Sequence, residues 1–149
     1  MRNKLKQVSL FVFIVLFAGL ATAKSQSSVA GYWTTISDKD RKARAIVKIY
    51  ERKGRLSARI IRTFPRPGDT GICNKCPGKL KGKPVKGIRF VWGMKKSGKQ
   101  TWSSGKILDP KSGKIYRCKM TLDKSGKKLS VRGYIGVSLF GRTQTWVRK

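Results

Sequence analysis

A Cys-x-x-Cys pair is the first feature of this 149-residue chain that could carry chemistry. Cys73 and Cys76 lie among prolines and glycines, while Cys118 lies in a strand-like segment. A structural zinc site would need a fourth ligand, and the chain has three cysteines and no histidine. A redox pair normally begins a helix, whose dipole lowers the thiol pKa, whereas this pair lies among turn formers. We predict a structural disulfide, either Cys73–Cys76 or one of these with Cys118; a thiol–disulfide enzyme is the weaker alternative.

Groups for acid–base catalysis are few. Histidine, the commonest general base, is absent, and the six acidic residues are scattered along the chain. Asp109, in an Asp-Pro-Lys-Ser-Gly segment, either accepts hydrogen bonds within its own turn or pairs with Arg132 or Arg142 at the mouth of a site. We therefore expect no catalytic residues, no metal and no cofactor, and a protein that is not an enzyme.

Aromatic and polar side chains recur at alternate positions of the strand-like segments. Arg142, Gln144 and Trp146 share one parity, and Arg132 and Tyr134 share the parity of another segment. Such rows would suit an acyl chain with an anionic head, although aromatic residues at alternating positions more often form a core. The candidate ligand-binding residues are Trp92, Trp102, Tyr116, Arg132, Tyr134, Arg142, Gln144 and Trp146.

The elements that would position these residues are short and β-like. Eight segments rich in β-branched and aromatic residues alternate with turns. They span residues 30–36, 43–51, 56–64, 85–94, 101–108, 115–122, 129–135 and 143–147. Short links require antiparallel neighbours, and closure removes exposed edges, so we predict an eight-stranded antiparallel up-and-down barrel, with a sandwich as the alternative. The interior of such a barrel either holds one small ligand or is filled by side chains.

The N-terminal residues predict export. Three basic residues precede an uncharged apolar run over residues 8–20, and Ala21-Thr22-Ala23 offers the small residues of a cleavage site. A run of 13 residues is short for a membrane span, which needs about 20. We predict a cleavable signal peptide over residues 1–23, a short flexible linker over 24–29 and a single barrel domain over 30–149. The mature protein would be periplasmic or secreted, with no transmembrane segment.

The composition gives the chain a large net positive charge. The whole chain carries +30, and loss of the three basic residues in 1–23 leaves +27. Such a charge attracts polyanions, which outside the cytoplasm include lipopolysaccharide, anionic phospholipids and acidic glycans. Nucleic acid would bind through charge alone and dissociate as salt rises, and no motif for specific recognition is present. The sequence does not indicate an oligomeric state.

Several stretches in order are similar to a bacterial family known as domain of unknown function 2147. They read GYWTT, CNKCPG, KPVKGI, GKILDPKSGKIYRCKM and VRGYIGVSLFGRTQTWVR, at residues 31–35, 73–78, 83–88, 105–120 and 131–148. The resemblance covers nearly the whole predicted domain. It implies an exported protein with a lipocalin-like barrel, and it implies no enzymatic activity.

Gly31-Tyr32-Trp33 also resembles the Gly-x-Trp element of lipocalins. In that fold the tryptophan closes one end of the barrel and packs beneath an arginine of the last strand through a cation–π contact. The resemblance implies this part for Arg148 or Arg142. The residues with predicted barrel-closing or structural roles are Gly31, Trp33, Asp109 and Arg148.

These observations predict an exported, non-catalytic, lipocalin-like protein that binds a small amphipathic or acidic ligand. The first alternative is a cationic envelope protein whose surface binds anionic polymers such as lipopolysaccharide. Salt separates the two, because adsorption through exposed charges is screened whereas binding inside a barrel is not.

Overall fold

Eight antiparallel strands form a closed barrel in the computed structural model, which describes residues 28–149. The strands are β1 (Gly31–Ile36), β2 (Ala43–Arg52), β3 (Arg55–Thr63), β4 (Arg89–Gly98), β5 (Thr101–Leu108), β6 (Ile115–Leu122), β7 (Lys128–Tyr134) and β8 (Gly141–Arg148). Each strand pairs with its sequence neighbours, and β8 pairs with β1. The predicted up-and-down barrel is therefore confirmed.

The predicted signal peptide and residues 24–27 of the predicted linker lie outside the described residues, so cleavage and export stay predictions. The last linker residues, Ser28 and Val29, are described, and Val29 is buried against the barrel. Helical structure in residues 28–149 amounts to one 3-10 turn, Gly78–Leu80, and no helix there has the length and apolar character needed to cross a membrane.

The strand bounds agree closely with the sequence for β5 and β6, but β4 begins four residues later than predicted. Residues 85–88 belong instead to the preceding loop, where the amide of Val85 donates to Gly71 O (2.8 Å) and that of Gly87 to Ile60 O (2.7 Å). At its other end β4 continues through Gly98, because Lys95 and Lys96 pair with β5 where the sequence predicted a turn.

Irregularities in β4 and β5 break the simple alternation of inward and outward side chains. Gly93 has a positive φ of 73°, and the buried residues of β4 are Phe90, Val91 and Met94, while Trp92 is only half-buried. Trp92, a candidate ligand-binding residue in the sequence, therefore does not continue the inward face of Phe90. A bulge next to a glycine re-aims the following side chains, and a period-two pattern does not show this.

One end of the barrel is closed by Trp33 and Arg148. Trp33 is fully buried and donates from Nε1 to Val29 O (2.9 Å). The Arg148 guanidinium lies 4.3 Å above the Trp33 ring and donates to Gly126 O (2.6 Å), Ser28 O (2.8 Å) and Ala30 O (3.2 Å). Of the two predicted arginines, Arg148 thus occupies the position over the tryptophan.

Gly31 belongs to the same closure. Its φ is +129°, and a Cβ there would lie 3.2 Å from Arg148 Nη1. A side chain at this position would crowd the guanidinium over Trp33. The structure thereby gives a physical reason for glycine two residues before Trp33.

The opposite end of the barrel, here called the open end, carries the four longer loops, residues 37–42, 64–88, 109–114 and 135–140. The longest of these contains the disulfide Cys73–Cys76, and both cysteines are buried. The loop packs on the β5–β6 turn so closely that a Cβ on Gly113 would lie 1.7 Å from Lys75 O. Cys118 is a free thiol inside the barrel, and burial raises its pKa to about 12.

Candidate ligand-binding site

The open end of the barrel contains a cavity of about 990 Å³. Its walls are the inward-facing residues of the strands near that end, and its rim is formed by the four loops. The Phe90 ring lines the cavity, and the fully buried Trp146 packs against it with ring centroids 5.7 Å apart. The other apolar lining residues on the strands are Ala45, Val47, Ile60, Ile107, Leu108 and Val131.

Space in this cavity depends on a missing side chain at Gly133. This residue of β7 lines the cavity, and a Cβ there would lie 3.4 Å from Ile107 Cγ2 and 3.6 Å from Tyr116 Cβ. These are ordinary contact distances, so the backbone would accept a side chain. A larger side chain at Gly133 would enter the cavity between Ile107 and Tyr116.

Two polar side chains of the cavity keep hydrogen-bonding capacity. Gln144 accepts a long hydrogen bond from Trp146 Nε1 (3.4 Å), which leaves the Gln144 NH₂ group without a partner among residues 28–149. The phenol hydroxyl of Tyr116 has no hydrogen-bond partner in that range either, and its ring is half-buried. These groups can orient a polar part of a ligand in an otherwise apolar space.

Basic residues dominate the charged part of the lining. The six are Lys39, Arg44, Arg66, Lys75, Lys111 and Arg142, against two acidic lining residues, Asp69 and Asp109. Two further carboxylates, which do not line the cavity, form ion pairs with its arginines. Asp38 pairs with Arg142, and Asp40 pairs with Arg44 and lies 4.0 Å from Arg66 Nη1. Six cations against four carboxylates leave the mouth of the cavity with a net charge of +2.

Hydrogen bonding keeps Asp38 and Asp40 ionised. Bonds from Ser37 first, and from Arg44, lower the pKa of Asp40 to about 2. The Arg142 guanidinium lowers the pKa of Asp38 below its usual value, and Asp38 in turn raises the pKa of Arg142. One carboxylate, Asp40, serves two guanidiniums, and Nε of both Arg44 and Arg66 is buried with no partner in the described chain. This corner therefore keeps excess positive charge that an anion would satisfy.

The eight predicted ligand-binding residues separate into two groups. The cavity lining includes Tyr116, Tyr134, Arg142 and Gln144. The other four lie elsewhere: Trp102 and Trp146 are buried in the core, Trp92 packs half-buried against it, and Arg132 lies on the outer face of β7. In β7 the inward parity is that of Leu129, Val131 and Gly133. Arg132 and Tyr134 share the opposite parity, and Tyr134 borders the cavity as the last residue of β7, next to the β7–β8 loop.

The sequence left two roles open for Asp109, and the structure shows the first: its carboxylate accepts hydrogen bonds within its own turn. Its Oδ1 accepts from the amide of Lys111 (3.0 Å) and its Oδ2 from Ser112 Oγ (2.7 Å). Arg142 pairs with Asp38, which the sequence did not single out, and Arg132 donates to the β7–β8 loop. In residues 28–149 no three potential metal-binding side chains cluster.

The cationic rim was not predicted residue by residue. Arg44 is four residues from Asp40 in the sequence, but Arg66 lies in the longest loop and approaches the same carboxylate only because β2 pairs with β3. Two signals were available in the sequence. A loop of 25 residues among short links is commonly functional, and a glycine within a strand, such as Gly133, marks a close approach or a space for a ligand.

Comparison with known proteins decides the family. The family described as "Uncharacterized protein conserved in bacteria (DUF2147)" matches residues 31–148. The chain belongs to this family. The barrel is also similar to a solved structure from Helicobacter pylori, protein HP1028, which is described as belonging to the lipocalin family. That similarity has a TM-score of 0.71 at 24% sequence identity and covers 82% of this chain and 83% of the other.

No protein of curated function matches the chain. As a DUF2147 member it has a lipocalin-like barrel, and its closed end carries the Trp33–Arg148 pair. At 24% identity the structural similarity shows the fold alone. Arguments about function therefore depend on the cavity of this chain.

Proposed function

We propose that this DUF2147 protein is a non-catalytic carrier that binds a small amphipathic ligand with an acidic head group at the open end of its barrel. The observation that carries the proposal is the cavity of about 990 Å³, with an apolar floor and a cationic mouth. Pockets for small molecules measure about 300–1,000 Å³, so the space suffices for one such ligand. The similarity to HP1028 supports the barrel fold in which this cavity forms.

The distribution of side chains gives the ligand an orientation. An apolar tail would contact Phe90, Ile107 and Val131, where no charge is available to compensate a buried polar group. An acidic head would lie toward Arg66 and Lys111 at the rim. A carboxylate or phosphate there would find charge-assisted hydrogen bonds that a neutral head group would lack.

The side chains of the cavity support binding rather than catalysis. Asp38 and Asp40 are paired with arginines, and Asp109 accepts hydrogen bonds within its turn. The remaining lining carboxylate, Asp69, accepts from the amide of Arg66 (2.8 Å). The pKa values of Asp38 and Asp40 are lowered, whereas a general acid needs a raised pKa.

Burial of the disulfide argues against the thiol–disulfide alternative. Cys73 and Cys76 are 0% and 3% exposed, so the thiolate of another protein has no path to either sulfur. The pair instead fixes the loop that forms part of the cavity rim.

A periplasmic or secreted location is part of the proposal. It is supported by the basic, apolar and small-residue zones of residues 1–23 and by a disulfide, which is typical of oxidising compartments. N-terminal sequencing of the protein from the expressing bacterium tests it. A mature protein that begins near Lys24 supports export, and an intact Met1 in the cytoplasm contradicts it.

Ligand binding is tested with three probes of equal chain length: a long-chain fatty acid, its methyl ester and the corresponding alkylamine. We expect the acid to bind best and the amine worst. Gly133→Leu should weaken all three at least tenfold, which corresponds to about 1.4 kcal/mol, because the new side chain enters the cavity. Thr145→Leu, which adds the same side chain at an exposed position of β8, is the matched control.

Two further measurements separate the cavity from the charged exterior. Arg66→Gln should weaken the acid and leave the ester unchanged, because only the acid uses the guanidinium. Binding of the ester should persist in 0.5 M salt, whereas adsorption to exposed lysines should disappear. Equal binding by the Gly133→Leu and Thr145→Leu variants, or loss of all binding in salt, would overturn the carrier proposal in favour of surface adsorption.

A further inference from the structure

The most exposed apolar side chains of the described chain are concentrated in one loop. The β7–β8 loop, residues 135–140, reads Ile-Gly-Val-Ser-Leu-Phe and contains no charge. Leu139, Phe140, Ile135 and Val137 are 82%, 75%, 67% and 57% exposed, and no other large apolar residue in 28–149 exceeds 45%. We call residues 135–140 the mouth loop, since Ile135 and Phe140 also line the rim of the cavity.

The mouth loop is held in this exposed arrangement by arginine. Arg132 donates from Nε to Ser138 O (2.6 Å), from Nη2 to Leu139 O (2.9 Å) and from Nη1 to Thr143 Oγ1 (2.8 Å). Within the loop the amide of Phe140 donates to Val137 O (3.2 Å). The loop backbone is therefore bonded while its apolar side chains face outward, and a patch of this kind marks an interaction site.

The surroundings of the mouth loop are cationic. The other three loops of the open end, residues 37–42, 64–88 and 109–114, contain 11 lysines and arginines and four aspartates. An apolar tip inside a field of positive charge complements a surface with anionic groups outside and hydrocarbon beneath. An anionic bilayer has this layering, and interfacial segments bury their apolar side chains about 5–10 Å into it while basic residues meet the phosphates.

We propose that the mouth loop docks the open end of the barrel on an anionic lipid bilayer. Val137 and Leu139 enter the interface, and the basic residues of the neighbouring loops lie at the level of the phosphates. Docking goes beyond the carrier function and does not require it, because Val137 and Leu139 do not line the cavity. In this orientation the cavity faces the membrane.

A single-site probe tests which end meets the membrane. Cys118 is buried and the other two cysteines are bonded to each other, so an introduced surface thiol takes the label selectively. Leu139→Cys, and Val147→Cys as the control near the closed end, are coupled to an environment-sensitive fluorophore. With vesicles of phosphatidylglycerol and phosphatidylcholine we expect a blue shift for the label at 139 and none at 147. Equal shifts, or a shift at 147 alone, would overturn the proposal.

Sedimentation with the same vesicles measures the contribution of the loop. Val137→Ser/Leu139→Ser should reduce binding at least tenfold. Tyr32→Ser/Val147→Ser removes two exposed apolar residues near the closed end and should change binding less than twofold. Pure phosphatidylcholine vesicles should bind the wild-type protein at least tenfold more weakly than the anionic ones. Unchanged binding by the loop variant would show that charge alone holds the protein on the vesicles, and it would refute docking by the mouth loop.

A second copy of the chain is the competing occupant of the mouth loop. If the label at 139 shifts with protein concentration in the absence of vesicles, the loop covers itself in a dimer and the membrane proposal fails. A single monomeric species at the concentrations used for vesicle binding, with the shift appearing only when anionic vesicles are added, supports docking. Binding of the fatty acid to the Val137→Ser/Leu139→Ser variant should remain at the wild-type level, so failure of docking and failure of the carrier function give different results.

Discussion

Replacement of Arg148 by alanine tests the closure of the barrel most directly. The guanidinium donates to three carbonyl oxygens, at 2.6, 2.8 and 3.2 Å, and lies 4.3 Å above the Trp33 ring. Hydrogen bonds from a charged donor contribute about 1.5 kcal/mol or more when shielded and less when exposed, as at Ser28. A cation–π contact at a partly buried site adds about 1 kcal/mol. We expect Arg148→Ala to lower the free energy of unfolding by about 3–4 kcal/mol.

Thermal and urea unfolding of the protein measure this loss. For a domain of this size about 3–4 kcal/mol corresponds to a fall in Tm of roughly 10–15 °C. Arg148→Lys should lose about half as much, because the ammonium keeps a charge above Trp33 but lacks the planar group that bonds several carbonyls at once. We therefore predict that the free energy of unfolding decreases from the wild type to Arg148→Lys and again to Arg148→Ala.

Arg89→Ala provides the control, because the Arg89 side chain is exposed on β4 and forms no hydrogen bond or ion pair within residues 28–149. A change within about 0.5 kcal/mol is typical of such a position. If Arg148→Ala destabilises the protein no more than Arg89→Ala does, the closed end is held by strand pairing alone and our account of the arginine is wrong.

Two other predictions concern the open end. Gly113→Ala should cost at least about 2 kcal/mol more than Gly54→Ala in urea unfolding, because both glycines have positive φ but only Gly113 would place a Cβ against Lys75 O. Equal costs would show that the longest loop does not rest on this turn. Asp38→Asn should lower Tm slightly at pH 6, by the equivalent of less than about 1 kcal/mol for an exposed pair, and by progressively less as the pH falls below about 4. Arg142 lowers the pKa of Asp38 below 3.8, so the stabilisation is complete above about pH 4 and is lost as the pH falls through the lowered value. A difference in Tm that does not diminish as the pH falls would contradict the assignment.

The barrel was predictable because its determinants are local. Turn residues at short intervals and side chains of alternating character identify eight strands and antiparallel neighbours, and the bounds of β5 and β6 follow from them directly. Where backbone hydrogen bonds from distant residues intervene, the prediction fails. Val85 looks like the start of a strand in the sequence, but its amide is already bonded to Gly71 in the longest loop.

The candidate site was less predictable, for two physical reasons. Parity along a strand defines a face only until a bulge or an unusual φ re-aims the chain, as at Gly93 before Met94. A cationic mouth arises from residues of several loops, and although Arg44 lies four residues from Asp40, nothing local to Arg66 indicates that it approaches the same carboxylate. The residues identified correctly as lining the cavity, such as Tyr116 and Gln144, lie on regular strands without bulges.

Pairing of β1 with β8 has a consequence for the kinetics of assembly. The bond from Arg148 to Ala30 O joins residues 118 positions apart, so this contact is among the least local in the molecule. Forming such a contact costs a large loop-closure entropy, because it brings together residues that are distant in the chain. Domains dominated by non-local pairing fold in milliseconds to seconds. Until β8 docks, the first and last strands expose unpaired backbone to other chains. Self-association therefore competes with folding until β1 and β8 pair. Substitutions in these two strands that weaken their pairing would first lower solubility during refolding.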